Sequence, residues 1–559
     1  MYIDANTLNL LFVARQIPHK LSRKGAVTAM AIIVPNISLN LNQPRADAIT
    51  KACRLLGLSE TDVQRAYISK VSVDARKQAH IRLVYSVGVA VENEHRYSAR
   101  AKACGAVIKQ YREPEFFCAQ EPMRHPPVVA GFGPAGMFCA LVLARHGYRP
   151  IVVERGSDVD RRIDAVNAFW QGKGLNTSSN VQFGEGGAGT FSDGKLTTRI
   201  GDARCDYIMR ELHAHGAPDD ILEKAKPHIG TDHLRGVVKS IRNEIISLGG
   251  TVLFEHTINA LTVRQGELAA IRTSKTAEIA CQALALCIGH SARDTVEMLH
   301  EMDVVMQPKA FSVGVRIEHL QSEIDQSLYG DLAGHPALPR GEYQLSHRHG
   351  GRGVYTFCMC PGGFVVPAAS EEGMVVTNGM SEYARNAVNA NAALVVGVEP
   401  GDYQGGVLGG IAFQRRLEQA AFVAGGRAYK APAQTVGRFL TGKAGIELGK
   451  VNPSYALGVT GAQFAELFPP FVLDMLKLGL INFSTKMRAF AYPEAVMTGV
   501  ETRTSSPVRI VRDDSLQSDT VRGLYPCGEG AGYAGGIISA AVDGLRVAQA
   551  IMQKHGPPA

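Results

Sequence analysis

The chain lacks a regular cysteine framework. Its ten cysteines are Cys53, Cys104, Cys118, Cys139, Cys205, Cys281, Cys287, Cys358, Cys360 and Cys527. They form no CxxC pair, which argues against a disulfide scaffold or a zinc ribbon, and no metal site is expected. Most sit in apolar runs and read as small buried hydrophobes. Free thiols point to a reducing, cytoplasmic compartment. A membrane-spanning run is also missing. The longest apolar stretch, Val128–Ala144, is broken by Gly131, Gly133, Pro134 and Gly136, whereas a span needs roughly 20 apolar residues. Internal repeats and low-complexity tracts are absent, which excludes solenoids and disordered chains. Residues 1–29 hold one acid and four bases but no apolar core with a cleavage site, so no secretory signal is expected. Met30 opens directly onto the strand-like Ala31-Ile32-Ile33-Val34, so residues 1–29 read as an extension ahead of an alternative start.

What is present is globular. Charged residues are 20% and hydrophobic residues 45% of 559, close to ordinary domains. At about 150 residues per domain, three or four domains are expected. The net charge of +7 is unevenly spread. Residues 1–126 hold 18 Lys+Arg against 10 Asp+Glu, and the remainder 41 against 42. A nucleic-acid partner for this basic segment is the alternative, and a solvated basic face is the preferred reading.

The pattern predicts an α+β module over residues 30–110. A strand is expected at 30–40 and a helix at 44–57, with Ile49, Ala52, Leu55 and Leu56 on its apolar face and Gly57 as its stop. Strands follow at Val63–Val73 and Ile81–Val91. Tyr111–Pro127 is charged and Pro-containing and reads as a linker around 111–126. Beyond it, strand and helix alternate: Val128–Ala130, Ala135–His146, Ile151–Glu154. A β-α-β unit of this kind implies a parallel, helix-covered sheet. A helix is expected at 234–248, then strands at Thr251–Thr257, Ala269–Ser274 and Ala283–Ile288. Residues 305–500 read as a strand-rich domain inserted into an α/β domain made of 127–304 and 501–559, with few helix signals before about Gly410–Ala424.

Four glycine-rich segments carry the chemistry. The first is Gly131-Phe132-Gly133-Pro134-Ala135-Gly136, a GxGxxG between strand and helix. Glu154 ends the next strand, 23 positions after Gly131. The glycines permit the tight turn, the approach of a pyrophosphate and close helix–strand packing. The helix start offers unpaired N–H groups and about half a positive charge. Contacts from Gly131, Gly133, Ala135 and Gly136 are therefore expected, with Glu154 on ribose hydroxyls. The second is the strand Leu524–Cys527, then Gly528-Glu529-Gly530 and a helix starting near Gly535. Ile538, Ala541, Val542, Leu545 and Ala548 form that helix's apolar face. A second helix start, reaching in through Gly536 and Ile537, suits FAD, which has both a pyrophosphate and an isoalloxazine to hold. The third, Gly184 to Leu196, has five glycines in eleven residues (184–194). Such a loop can wrap a flat ligand; Gly187, Ser192 and Lys195 are its expected contacts, with Asp193 alongside, and Lys195 is expected to favour a reduced, anionic flavin. In the fourth, a strand ends at Gly289 and the polar His290, Ser291 and Arg293 follow.

These stretches carry a resemblance. The GxGxxG with Glu154-Arg155, the strand ending at Gly289 and the terminal GLYPCGEGAGYAGG resemble two-dinucleotide-binding-domain flavoproteins related to glutathione reductase. GEGGAGTFSDGKL (184–196), HIGTD (228–232), GHSARD (289–294), VGVRIEH (313–319), CMCPGGFVVPA (358–368) and GEGAGYAGGI (528–537) are similar to bacterial FAD-dependent, or NAD(FAD)-utilizing, dehydrogenases. The resemblance runs from about residue 30 to the end. It implies FAD contacts at Gly131, Gly133, Gly136, Glu154, Arg155, Gly289, Gly528 and Glu529. It implies no substrate and no catalytic residue.

No second GxGxxG sits in a βαβ unit, so NAD(P)H as electron donor would bind without a dedicated fold. Cys358-Met359-Cys360 is the remaining chemical candidate, alongside Lys195. Two thiols can be redox-active. Positions i and i+2 of a strand share a face, however, and packing is the preferred reading. His228, Asp232, Arg316, Glu318 and His319 are possible acid–base groups, and each also reads as a satisfied structural polar residue. The expected protein is a cytoplasmic FAD-dependent oxidoreductase on a small-molecule substrate, in which the flavin performs the redox chemistry. The alternatives are a thiol-linked flavin reductase using Cys358 and Cys360, a flavin monooxygenase, and a non-redox FAD protein with an RNA-binding N-terminal module.

Overall fold

A computed structural model describes residues 30–559; the extension read over 1–29 lies outside the described residues. The chain divides into two units. Among the described residues, one holds residues 30–115 together with Asp219–Pro227 and Leu328–Pro339, and the other holds the rest.

In the smaller unit, β1 (Met30–Asn40), α1 (Ala46–Leu56), β2 (Val63–Asp74), β3 (Arg82–Val91), α2 (Ser98–Ala103) and β4 (Val107–Gln110) follow in turn. The sheet order is β2-β3-β1-β4, and every neighbouring pair is antiparallel. This is the β-α-β-β-α-β ferredoxin-like arrangement. Its core joins Ile32, Val34, Leu39, Val87 and Val89 to Ala48, Ala52 and Leu56. The helix face differs from expectation at one residue. Leu55 is exposed, and the buried stripe is Ala48, Ala52, Cys53 and Leu56. At 100° per residue, i, i+4 and i+8 form one seam, and Leu55 falls off it. Gly57 ends α1 in the left-handed region, φ 63°, as glycine does most readily.

In the larger unit, β5 (Val128–Ala130), α3 (Pro134–Arg145), β6 (Ile151–Glu154), α4 (Val159–Trp170), α5 (Arg204–Ala214), α6 (Thr231–Ser247) and β7 (Thr251–Phe254) come first. The strands β8 (Ile258–Arg264), β9 (Glu267–Thr273) and β10 (Ile279–Ala280) form a small antiparallel sheet. Then come β11 (Leu284–Leu286), α7 (Arg293–Glu301) and β12 (Met306–Pro308). The next stretch holds β13 (Phe311–Leu320), α8 (Gln321–Tyr329), β14 (Ser346–His349), β15 (Arg352–Cys360), β16 (Phe364–Pro367), β17 (Thr377–Met380), β18 (Asn389–Val398), α9 (Gly409–Ala424), β19 (Ala431–Thr435), α10 (Val436–Leu440), β20 (Val459–Gly461), α11 (Pro470–Lys486) and β21 (Val496–Glu501). The chain ends with β22 (Val508–Ile510), β23 (Leu524–Pro526) and α12 (Ile537–Lys554).

One sheet has the order β23-β11-β5-β6-β7, and all its neighbours are parallel. Every residue of β5, β11 and β23 is buried, as helix-covered parallel strands require. This α/β sheet of Rossmann type is bipartite, because β23 comes from the far end of the chain. The stretch between carries a seven-stranded sheet of order β14-β15-β18-β13-β21-β19-β20. Its central strands β13 and β18 pair from Phe311↔Val398 to Leu320↔Asn389. α9 packs on β19 and β21, and α11 on β13, β15 and β18. The helices α8 and α11 lie in the stretch read as strand-rich, α8 where few helix signals were expected. The segment read as a linker is tied down in its second half: Ala119 N donates to Met552 O at 2.8 Å and Met123 N to Gly556 O at 3.0 Å.

Candidate cofactor site

Two helix starts from opposite ends of the chain meet at the same edge of the parallel sheet. α3 follows β5 and α12 follows β23, with β11 between those strands. The two helices pack directly on each other. The contact is close because a glycine forms it, and a second glycine closes the turn before α3. A Cβ on Gly544 would lie 2.1 Å from the Ala135 carbonyl oxygen, and one on Gly136 would lie 1.9 Å from the Gly131 carbonyl oxygen. Neither position accommodates a side chain. The expected apolar face of α12 is buried at Ile538, Ala541, Val542, Leu545 and Ala548, and Asp543 is buried with them. Asp543 accepts from Gly528 N at 2.7 Å and pairs with Arg512 at 2.7 Å, so it ties the Gly528 turn to the helix.

The loop 184–194 joins the two helix starts. A Cβ at Gly133 would lie 3.6 Å from Gly187 Cα, and one at Gly189 would lie 3.5 Å from Ile537. The loop therefore runs from the start of α3 to the start of α12. Gly535 and Gly536 are exposed and face open space there. Gly289 likewise has nothing within reach of a Cβ, and Gly530 packs on its backbone. Glu529, beside them, acts electrostatically on His290, whose Nε2 contacts Arg503 O at 2.8 Å.

A buried arginine holds this loop in shape. Arg162 of α4 is fully buried. Its guanidinium donates to the carbonyls of Asn180, Val181, Gly184, Glu185 and Gly187 at 2.7–3.2 Å. The glycines of this segment bring no side chains with which to fix it, and the five donors of one guanidinium bind its carbonyls instead. Burial lowers the Arg162 pKa to about 10, and it stays charged near neutral pH. α4 is itself started by Asp158, whose side chain accepts from Asp160 N and Arg161 N. No sequence motif marks Arg162. Only its position in an amphipathic helix facing the loop gives it this role.

Glu154 is buried and accepts three backbone N–H groups: Phe132 N at 2.8 Å, Gly156 N at 2.9 Å and Gly184 N at 2.9 Å. It thereby links the GxGxxG turn to the loop. Oε2 takes only one of these donors, so an acceptor position remains on that oxygen for a ribose hydroxyl. Arg155 lies over the Phe183 ring, 4.4 Å from its centroid, and pairs with Asp294 at 2.6 Å.

Glu185 was not singled out by sequence as a titrating group. Its Oε2 accepts from Val159 N at 2.7 Å and Arg242 at 2.8 Å, while its Oε1 is buried without a partner. Desolvation raises its pKa from 4.5 to about 7. The folded protein thus binds more protons than the unfolded chain between these values. The resulting stabilisation is complete below about pH 4.5 and fades as pH rises through about 7. Glu185→Gln is expected to remove that dependence from a thermal-melt series over this range; an unchanged slope would count against it.

Lys195 departs from expectation. It is no free cation, because Asp193 at 3.1 Å and Glu342 at 3.3 Å balance it. Arg385 joins the same group with Nε 2.9 Å from Asp193. The four charges sum to zero, so Lys195 does not offer the uncompensated attraction for an anionic flavin read from sequence. Ser192 is turned back on its own loop, donating to Gly189 O at 2.7 Å and accepting from Gly194 N at 3.0 Å.

The other acid–base candidates have structural partners or the wrong environment. His228 stacks on Tyr383, and Asp232 accepts from Tyr383 N at 2.9 Å. Glu318 is buried and bound to Asn389 and Ser454, and desolvation raises its pKa. His319 is buried between Tyr343 and Phe490 with both ring nitrogens unpartnered. Desolvation lowers its pKa to about 3, which removes it as a base near neutral pH. Arg316 is fully buried and forks onto Glu501 at 3.0 and 3.1 Å. It also donates to Asn391, Asn378 and the Cys358 carbonyl. A second buried charge cluster was missed by sequence. Arg293 and Arg503 both bind Glu418, at 2.8 and 3.0 Å, which joins α7, α9 and the segment after β21.

The CxC expectation also needs correction. Phe357 pairs with Ala393 but Cys360 with Asn391, so β15 carries one extra residue there. That is a β-bulge, a feature that re-aims side chains. Cys358 takes φ 42°, unusual for a residue with a side chain. The two cysteines are therefore not neighbours on a regular strand face.

The fold is thus a Rossmann-type α/β domain with a strand-rich insert. Residues 310–504, essentially that insert, match the family model described as FAD-dependent protein, C-terminal domain-like. Residues 32–90 match a domain of unknown function (DUF8436). An uncharacterized protein of Clostridium beijerinckii is 50% identical over 533 residues, which is 95% of this chain and 100% of that protein. The chain belongs to the family of that Clostridium protein. Glycine oxidase from Bacillus cereus aligns at 9% identity over 77% of this chain and 98% of its own, with TM-score 0.33. Glycerol-3-phosphate dehydrogenase from Bacillus halodurans, solved with FAD, aligns at 12% identity over 77% and 66%, also with TM-score 0.33.

Proposed function

We propose that this chain binds FAD and is a dehydrogenase-type oxidoreductase acting on a small-molecule substrate. The observation that carries this reading is the meeting of two helix starts, α3 and α12, joined by the loop 184–194. One helix start alone would serve any phosphate. Two starts linked by a glycine-rich loop suit a long ligand with a phosphate centre and a flat end.

The residues present fit FAD. Gly131, Gly133, Ala135 and Gly136 would receive the pyrophosphate, and Glu154 the ribose. Arg155 would flank the adenine. Gly187 and Ser192 lie along the loop, and Gly289, Gly528 and Glu529 lie at the strand ends. Gly536 and Ile537 would face the isoalloxazine. Bound FAD supplies two-electron redox chemistry. This chain's own part is to bind, orient and exclude water. The neutral quartet of Lys195, Asp193, Arg385 and Glu342 fixes the loop end without adding net charge. The flavin would be reduced by its substrate, or by NAD(P)H bound without a dedicated fold, since no second dinucleotide fingerprint is present in the sequence. Ten free cysteines fit a reducing cytoplasm, and no nucleic-acid or membrane partner is proposed. Among the described residues no helix is long and apolar enough to cross a membrane.

The test begins with the purified protein. It is expected to be yellow and to release FAD on denaturation, identified by mass. Anaerobic addition of NADH, NADPH and a metabolite panel is then expected to bleach the visible band with one donor. A colourless protein that refuses added FAD overturns the reading.

A further inference from the structure

The bulged Cys358-Met359-Cys360 segment presents two thiols in unequal surroundings. Cys360 is fully buried and Cys358 is half-buried. An extended i to i+2 step spans about 6.6–7.2 Å between Cα atoms, at or beyond the far edge of the disulfide range of about 4.4–6.8 Å. A regular strand would hold such thiols apart. Here the extra residue and the left-handed Cys358 fold the segment back on itself, so that the Cys360 thiol donates to the Cys358 carbonyl oxygen at 3.4 Å. Arg316 Nη1 grips that same carbonyl at 2.9 Å, and Glu501, Asn378 and Asn391 fix Arg316 in turn. The kink is thus held by a buried, fully engaged guanidinium.

We propose that Cys358 and Cys360 form a reversible dithiol–disulfide couple, with Cys358 as nucleophile toward a low-molecular-weight disulfide and Cys360 as resolving thiol. The Cys360 side chain beside it, with Arg316 and Lys195 nearby, holds the Cys358 thiol below its ordinary range, and Cys360 is pushed up by the same pairing. The thiolate is the attacking species. Cys358 sulfur attacks RSSR, forming a Cys358–SR bond while the RS–SR bond breaks and RS⁻ leaves. That thiolate takes the Cys360 proton. Cys360 sulfur then attacks Cys358 sulfur, the Cys358–SR bond breaks, and a second RS⁻ leaves to be protonated by solvent. Two protein thiols are oxidised by two electrons, and one disulfide is reduced to two thiols. This exchange needs no flavin, so it stands or fails apart from the cofactor reading.

The molecule contains its own control. Cys287 and Cys527 also lie side by side but are both buried, so no disulfide reagent reaches them. The full-length protein is equilibrated with reduced and oxidised glutathione at graded ratios, quenched with an alkylating reagent and mapped by mass spectrometry. Across the series, the peptide holding Cys358 and Cys360 is expected to lose two hydrogens and both alkylation sites. The Cys287 and Cys527 peptides are expected to stay reduced. Cys360→Ser is expected to trap one glutathione on Cys358, and Cys358→Ser to trap none on Cys360. Two alkyl groups on the Cys358–Cys360 peptide at every ratio would overturn the couple. An adduct on Cys360 in Cys358→Ser would overturn the assigned roles.

Discussion

Replacing Arg162 with alanine is expected to strip the protein of FAD and lower its apparent melting temperature more than any other single change in the loop region. Five carbonyls of residues 180–187 would lose their donor in one step. Each buried acceptor left unpaired costs about 1–3 kcal/mol, and water entering the vacated space recovers part of it. A net loss of at least about 3 kcal/mol is expected, roughly 3–4 °C for a unit of this size. Arg162→Lys is expected to rescue little. An ammonium has three donors and no planar fork, so it cannot reach carbonyls spread over eight residues. Flavin absorbance per protein and a melting curve read both effects. Wild-type FAD content in Arg162→Ala would show that the loop holds its shape unaided.

The second large effect is expected at Gly544, eight residues into α12. Any side chain there would put its Cβ 2.1 Å from the Ala135 carbonyl oxygen, a backbone atom that cannot swing aside. Gly544→Val must push α12 away from α3 and separate the two helix starts. Overpacking of this kind costs about 1–3 kcal/mol and occasionally more. At a tenfold change per 1.4 kcal/mol, FAD affinity is expected to fall about a hundredfold, read by titrating apoprotein with FAD. Gln553→Val, on the exposed side of the same helix, is expected to leave the affinity unchanged. Equal affinity in Gly544→Val and wild type would mean that the helix contact does not shape the ligand site.

These two residues differ in how far sequence reveals them. Gly544 lies within a stretch already marked by its glycine-rich start and apolar periodicity. Its neighbour Ala135, however, is some 400 positions away, and only the packing of α12 on α3 makes the glycine obligatory. Arg162 lies in a helix that was not anticipated. Its partners are backbone carbonyls, which leave no trace in residue identity. Lys195 shows the opposite error. Sequence presents a lysine in a glycine loop as a free charge. The fold adds Glu342 and Arg385 from the insert and cancels it.

The same division runs through the whole molecule. Local chemistry is written along the chain: a GxGxxG needs a strand before it and a helix after it, an acid ends the next strand, and apolar spacing gives the face of the last helix. Those requirements are satisfied within about 30 consecutive residues, so the chain alone set the β5–α3–β6 unit and the start of α12. Convergence of the two helices, burial of Arg162 and Arg316, and the bulge that pairs Cys358 with Cys360 were decided by tertiary structure. Each depends on strand register or on a backbone contact between distant segments, and neither follows from the identity of neighbouring residues.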